Sequence, residues 1–331
     1  GGSSNGFTGL DMTAYYEIIP ANHLERLLFA EAERMGSLVV DQAAFESERD
    51  VVKEELRQRV LADPYGRLYA LYLPQEAYQE HPYRRPGIGS IADLDAASID
   101  DVLAFHSTFY RPDNAYLIVV GNFDEAQLNG WVDEYFGPIA KPERAFPAND
   151  VQEPQRTAAR SATYYVPNVT LPAVVLNWQA PRYSDEDHAA LQVLDAILSH
   201  GTSSRLYREL VYAQQSAAEA SAVLALAQQA GIYSLYALMA DGHDVAEGER
   251  ALLAEVAKLR DAAVSGSELD EAKHELVADR LRDRESLLGR GNAIGESLIM
   301  TGQAVAADRL LDRVRAVTAE DVQRVAQKYL A

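Results

Sequence analysis

The stretch Ser98-Ile-Asp-Asp-Val102, which leads to Phe109, has a counterpart near the end of the chain in Thr318-Ala-Glu-Asp-Val322, which leads to Tyr329. Each begins with a hydroxyl residue suited to a helix N-cap, carries Asp-Val at the same offset, and has an aromatic residue eleven positions after the cap. A repeat of this kind indicates two copies of one α+β domain. We therefore predict two homologous domains, each an antiparallel-rich sheet with helices packed on one face.

Length and composition agree with this prediction. The 331 residues suffice for about two domains, and a hydrophobic fraction of 48% allows each a proper core. Fifty acidic residues against 30 basic ones give a net charge of −20, which disfavours nucleic acid and anionic membranes as partners. The absence of cysteine excludes disulfide scaffolds, thiol catalysis and zinc fingers.

The uncharged run Ala220–Ala240 is about as long as a membrane-spanning helix. Gln228, Gln229 and Gly231 interrupt it, which favours a hairpin of two strands. A spanning helix is the weaker alternative, so we expect no membrane span.

The proline-rich stretch Lys141–Arg160 is the best linker in the chain, and we place the domains at residues 1–145 and 146–331. Apolar runs and β-rich composition predict strands at Thr8–Ile19, Asn114–Gly121, Ala162–Val166 and Leu171–Trp178. Helical spacing of apolar residues predicts helices at Asn22–Met35, Asp41–Leu61, Asp124–Phe136, Asp185–Leu198, Ser203–Gln214, Val245–Ala263 and Glu268–Leu288.

An acidic helix around residues 46–55 is the unusual feature of the first half. Glu48 and Glu55 are seven residues apart and share a helix face close to two valines. A carboxylate on an apolar face must be paired, protonated or bound to a metal. Spacing alone favours the simpler alternative of a charged, solvated helix surface with Lys53 and Arg57 as ion-pair partners.

No catalytic motif stands in the chain itself. The seven histidines show neither H-E-x-x-H nor H-x-x-E-H spacing, and there is no P-loop, G-x-S-x-G or G-x-G-x-x-G sequence.

Several blocks of sequence, in order, resemble the pitrilysin/insulinase family of zinc peptidases. These blocks are GGSSNGFTGLDMTAYYEIIP, ESERDVVKEELRQR, DPYGRLYALYLPQEAYQEHPYRRPGIGS, FYRPDNAYLIVVGNFD and NWQAPRYSDEDHAALQVLDAILSHGTSSRLYRELVY. The likeness covers essentially the whole chain and is greatest to bacterial two-domain subunits that are similar to the mitochondrial processing peptidase.

The resemblance implies a zinc site that this chain carries only in part. In the family, two histidines of H-x-x-E-H and a distant Glu bind Zn²⁺, and the Glu between the histidines is the general base. The distant-Glu pattern falls on Glu48, Arg49 and Glu55, which makes Glu55 the expected metal ligand and Glu48 a carboxylate that orients a ligand His. Glu54 is the alternative ligand.

Because H-x-x-E-H is absent, we expect the histidines and the base upstream of Gly1 in a longer parent. We also expect a second domain clipped before its last strand. The fragment itself should then be inactive and should not bind Zn²⁺, since one Glu cannot hold the ion.

The resemblance also assigns substrate contacts. Asn5, Gly6, Phe7 and Thr8 match the edge strand to which a peptide substrate adds, and the family usually has Ala where Gly6 stands. An Arg and a Tyr that hold substrate and oxyanion in the family are replaced by Val211 and Ala218, so a homologous partner subunit is expected to supply them.

The function implied is that of a zinc-dependent endopeptidase subunit that cleaves peptides or unfolded segments as the zinc-bearing half of a heterodimer. The relatives favour a bacterial periplasmic location over a cytoplasmic one. Two alternatives stay open, a non-catalytic structural or substrate-binding subunit of the same family and a helical interaction protein unrelated to proteolysis.

Overall fold

The computed structural model describes residues 2–331, and the chain divides into two compact units. The first comprises the residues up to Gln75 together with Pro82–Val151, and the second comprises Glu76–His81 together with Gln152–Ala331. Both combine helices with a small antiparallel sheet, one of two strands and one of three. The predicted α+β class is confirmed.

The first unit begins with a hairpin and continues as helices. Its elements are β1 (Ser3–Thr8), β2 (Thr13–Ile18), α1 (Leu24–Gly36), α2 (Gln42–Glu55), α3 (Leu73–Ala77, which ends in the second unit), α4 (Ile91–Ala96), α5 (Ile99–Phe109) and α6 (Glu125–Tyr135). π-helical turns follow α2 at Leu56–Leu61 and precede α3 at Leu68–Tyr72. The predicted helix over Asp41–Leu61 is therefore present, and the Asp41 side chain caps it by accepting the Ala44 N–H at 2.7 Å.

Two of the predicted strands are wrong. The predicted strand Thr8–Ile19 is only partly right, because β2 covers only Thr13–Ile18 of it. Thr8 ends β1, and a turn closed by the Gly9 N–H on the Met12 carbonyl (2.8 Å) separates it from β2. Neither Asn114–Gly121 nor Ala162–Val166 forms a strand in the part of the chain that the structure describes. A β-strand needs a neighbouring strand that hydrogen-bonds to its backbone N–H and C=O groups. An apolar run in the sequence does not show whether such a neighbour is present.

The second unit is built on the sheet β3-β5-β4, in which each neighbouring pair is antiparallel. The hairpin predicted within Ala220–Ala240 is confirmed as β4 and β5. Among residues 2–331, no helix has both the length and the apolar character needed to cross a bilayer. The elements are β3 (Ala173–Ala180), α7 (His188–Ser199), β4 (Ala217–Ala225), β5 (Gly231–Met239), α8 (Val245–Asp261), α9 (Gly266–Asp283), α10 (Leu287–Thr301), α11 (Ala306–Ala316) and α12 (Ala319–Tyr329).

The core of the second unit surrounds α7, whose residues are almost all buried among β4, α9 and α12. Asp187, before α7, is buried and accepts hydrogen bonds from Arg324 (2.6 Å), Lys328 (2.7 Å) and Tyr329 (2.8 Å) of α12. Burial opposes ionisation of Asp187, but these donors outweigh it and hold the pKa of the carboxyl below its usual value.

The two helices that suggested a repeat begin in the same way. Ser98 with Asp101 caps α5, and Thr318 with Asp321 caps α12, each as a reciprocal capping box. The predicted caps are therefore confirmed in both units.

Candidate functional site

Helix α2 carries three glutamates that the sequence singles out, and the structure places them in different surroundings. Glu48 is exposed and lies seven residues, about two helical turns, before Glu55. Glu54 is also exposed. The Glu54 carboxylate accepts from Gln58 (2.8 Å) and from Arg57 (3.4 Å). Glu54 therefore has the ion-paired, solvated role that the charged-surface interpretation gives to the whole run.

Glu55 is the last residue of α2 and is only half-exposed. Its carboxylate pairs with Arg59 at 2.6 Å, and this arginine is 77% exposed. The π-helical turn that begins at Leu56 places two buried side chains, Leu56 and Val60, directly after the glutamate. Turns of this type occur frequently at functional sites.

Ion pairs also fix the C-terminal part of α2, close to Glu55. Lys53 binds Asp95, at the end of α4, and also reaches Asp50 at 3.3 Å. The hydrogen bond from Lys53 lowers the pKa of Asp95. These contacts hold α2 against α4, so the backbone that carries Glu55 has a defined position.

A zinc site needs more than Glu55. Within residues 2–331, no three His, Cys, Asp or Glu side chains come together in a way that could hold a metal ion. Zn²⁺ in a catalytic site takes three protein ligands, so the donors present do not form such a site by themselves. The Glu55 carboxylate is a donor of the type that Zn²⁺ accepts, and it is one of the three protein ligands that such a site needs.

The predicted substrate strand is β1, and all six of its residues are exposed. It pairs only with β2 in the described part of the chain, in a register that sets Asn5 opposite Tyr16, Gly6 opposite Tyr15 and Thr8 opposite Thr13. The Asn5 side-chain oxygen accepts the Gly6 N–H at 2.8 Å. Such local side-chain bonds compete with strand pairing for the same backbone group.

An aromatic cluster next to β1 was not recognised in the sequence. The hydroxyl groups of Tyr15 and Tyr110 are hydrogen-bonded, and the Arg34 guanidinium lies 4.3 Å from the centroid of the Tyr15 ring. Burial and the Tyr15 hydroxyl raise the pKa of Tyr110 to about 12, so the Tyr110 phenol is neutral at physiological pH. Members of the cluster come from β2, α1 and the end of α5, and no local pattern connects them.

The second unit contains Val211 and Ala218, the positions at which the family resemblance implies an Arg and a Tyr that this chain lacks. Val211 lies half-buried in the π-helical turn Tyr207–Ala213, and Ala218 lies exposed on β4. Between them, Gln215 has a φ of 53°, and it is the one non-glycine residue with positive φ in residues 2–331. A polar cleft beside this bend is lined by Gln214, Ser216, His243, Glu247, Arg250 and Ala251.

Comparison with known proteins identifies the family. A family model described as "Peptidase M16 inactive domain" matches residues 96–276, more than half of the chain. The chain belongs to the peptidase M16 family. The M16 chain is 32% identical over 290 residues to "Zinc protease PqqE" of Helicobacter pylori, which covers 86% of this chain and 64% of the relative. It is 23% identical to "Mitochondrial-processing peptidase subunit beta" of Saccharomyces cerevisiae, over 97% of this chain and 72% of that protein.

The crystal structure of a protease from Helicobacter pylori superimposes on the M16 chain with a TM-score of 0.95 and 29% identity. It covers 100% of this chain, which in turn covers 80% of that structure. The M16 chain thus spans 64% of the first relative's length and 80% of this structure. The family resemblance predicted from the ordered sequence blocks is confirmed.

Proposed function

We propose that this M16 chain is part of a zinc-dependent endopeptidase subunit, and that Glu55 is its contribution to the metal site. The observation that carries the proposal is the position of Glu55, which is half-exposed at the junction of α2 and a π-helical turn. It lies about two helical turns after Glu48. Membership of M16 and relatives named zinc proteases support it. Residues 1–331 contain neither the histidine ligands nor the general base, so the activity would belong to a longer protein that carries them.

The zinc ligands divide between two parts of that parent. We place H-x-x-E-H outside residues 1–331, in the same domain as residues 1–145. Residues 146–331 would then form the homologous second domain. When bound, Zn²⁺ supplies Lewis-acid chemistry at the scissile carbonyl. Glu55 would hold the ion after giving up its exposed ion pair with Arg59, which costs little because surface pairs are weak.

Substrate recognition in this proposal uses the free edge of β1. An extended peptide that adds to Asn5–Thr8 forms main-chain hydrogen bonds whatever its sequence, and its alternate side chains meet the protein. The full exposure of β1 and its lack of a second neighbour in residues 2–331 support this assignment. Unfolded segments and flexible peptides are the substrates that can pair in this way.

A homologous partner subunit would complete the site. Val211 and Ala218 offer no side-chain donor, although the family places donors there for substrate and oxyanion. The similarity to the mitochondrial-processing peptidase beta subunit supports a two-subunit enzyme. The second candidate function, a non-catalytic subunit of the same family, is favoured by the match to the inactive-domain model.

Substitution of the three glutamates in the full-length parent, followed by measurement of bound zinc by mass spectrometry, tests the metal assignment. Glu55→Gln should abolish stoichiometric zinc binding, whereas Glu54→Gln, the matched neighbour, should leave it intact. Glu48→Gln should weaken zinc affinity roughly 10- to 100-fold, as loss of a ligand-orienting group does. Full zinc occupancy in Glu55→Gln would refute the assignment. A wild-type parent that binds no zinc would favour the non-catalytic subunit.

A further inference from the structure

Gly6 leaves a gap in the middle of the proposed substrate strand, and an aromatic ring lies across that gap. A Cβ atom built on Gly6 would lie 3.1 Å from Tyr15 Cδ1, 3.5 Å from Tyr15 Cε1 and 3.1 Å from the Ala14 carbonyl oxygen. The Tyr15 ring is therefore closer to β1 than it could be beside an alanine in relaxed contact. Gly6 and Tyr15 are register partners, so they share one face of the hairpin.

Contacts with Tyr110 and Arg34 fix the orientation of the Tyr15 ring. Its hydroxyl group is bonded to that of Tyr110, and the Arg34 guanidinium stacks over the ring at 4.3 Å from its centroid. Arg34 is itself tethered to Glu17 (3.4 Å) and to Glu31. Despite these contacts, Tyr15 is still 46% exposed. A large apolar surface with a fixed orientation is thus available beside the strand edge.

We propose that Tyr15 is a specificity-determining residue, which selects a large apolar side chain at the substrate position that pairs with Gly6. This inference rests on the proposed addition of a peptide to β1. Such a peptide lies two strands away from β2, at roughly 9–10 Å between backbones. Cross-strand neighbours share a face, so the substrate side chain and the Tyr15 ring point the same way with only the bare glycine between them.

The size of the gap explains why the preference is for large groups. A phenylalanine or leucine side chain can cross a glycine and cover the ring, an arrangement in which an aromatic residue shields a strand glycine. An alanine side chain is too short to make this contact. An aspartate would meet the carboxylates of Glu17 and Glu31, for which Arg34 is the shared counter-ion.

Peptide kinetics on the full-length parent, assembled with its partner subunit and zinc, test this selection. A single phenylalanine is placed at each position in turn of an otherwise constant alanine-rich peptide. The kcat/KM of each peptide is compared with that of the same peptide without phenylalanine. We expect one position at which phenylalanine raises kcat/KM roughly three- to tenfold, the range of an aromatic contact, mainly through KM.

Two substitutions should remove this preference by different routes. Tyr15→Leu removes the ring, and Gly6→Ala inserts a methyl group between the ring and the substrate, so the phenylalanine-to-alanine ratio at that position should approach one in each. Tyr16→Leu, on the same strand but the opposite face, is the control and should keep the wild-type ratio.

Each outcome decides one of the two proposals. Cleavage without a preferred position, or an unchanged preference in both Tyr15→Leu and Gly6→Ala, overturns the role of Tyr15 and leaves the proposed peptidase function standing. Failure of the wild-type complex to cleave any peptide overturns the peptidase function, and the role of Tyr15 with it. Loss of the preference in both variants, with Tyr16→Leu unaffected, establishes the selection.

Discussion

At the scale of single residues, Asp195 is the clearest case of a charge in an unfavourable place. It lies on α7, and its Oδ1 atom is buried, although part of the residue reaches the surface. The buried Tyr233 hydroxyl is close enough to interact with this carboxyl, but neither group has a well-formed hydrogen bond in residues 2–331. Burial raises the pKa of Asp195 to about 6, and Tyr233 and His200 offset only part of this effect.

The raised pKa predicts a specific pH dependence of stability. Folded Asp195 keeps its proton up to about pH 6, whereas the unfolded residue loses it near 3.8, so the stabilisation is complete below pH 3.8 and lost as the pH rises through 6. Asp195→Asn, which stays neutral, should raise the unfolding free energy at pH 7 by at most about 3 kcal/mol. Denaturant titrations between pH 4 and pH 8 measure this, with the exposed Asp270→Asn as the control. Equal pH dependence in wild type and Asp195→Asn would contradict the prediction.

At the scale of elements, the segment Glu76–His81 shows how side chains fix a backbone run that has no sheet or long helix of its own. The Glu153 carboxylate accepts three consecutive backbone N–H groups, from Gln79 (2.7 Å), Glu80 (3.1 Å) and His81 (2.9 Å). Burial opposes ionisation of Glu153, but these donors outweigh it and lower its pKa. Arg156 donates to the Glu76 carbonyl at 2.8 Å, so both ends of the segment are held.

Loss of the Glu153 charge should therefore weaken the hydrogen bonds that hold the backbone of this segment. In Glu153→Gln, one amide oxygen replaces a carboxylate that accepted three bonds, and we expect the Gln79, Glu80 and His81 amides to exchange hydrogen about tenfold or more faster. Hydrogen exchange followed by mass spectrometry gives the measurement. Glu143→Gln, an exposed residue of the same linker, is the matched control. Unchanged protection in Glu153→Gln would show that Arg156 and packing alone hold the segment.

The elements also show what sequence can predict. The capping boxes, the β4–β5 hairpin and the helix up to Leu61 were predictable because each depends on residues close together in the chain. The runs Asn114–Gly121 and Ala162–Val166 were not, because a strand depends on a distant partner. The same limit applies to the site. That Glu48 and Glu55 share a face of α2 follows from helical spacing, but their expected roles at a metal come only from the family resemblance. The contact of Tyr15 with Arg34 and Tyr110 joins three elements and was not predictable from local sequence.

At the scale of the whole molecule, the net charge of −20 affects assembly more than catalysis. A second subunit of equally acidic character would be repelled at long range, and salt would screen the repulsion over about 8–10 Å. A partner that presents a basic surface to this chain should associate faster at low ionic strength than at high ionic strength, because salt screens the attraction.

Dependence on a partner can be tested through the two positions that lack donors. The full-length parent alone should cleave peptides at least about 100-fold more slowly than the assembled pair, because one missing oxyanion donor typically costs that much. The double variant Val211→Arg with Ala218→Tyr places the donors on this chain and should recover part of the activity without the partner. The control variant, Tyr212→Arg with Glu219→Tyr, introduces the same groups one position later and should recover none. If the lone wild-type subunit is as active as the pair, the donors come from elsewhere in the parent, since neither Val211 nor Ala218 can supply them.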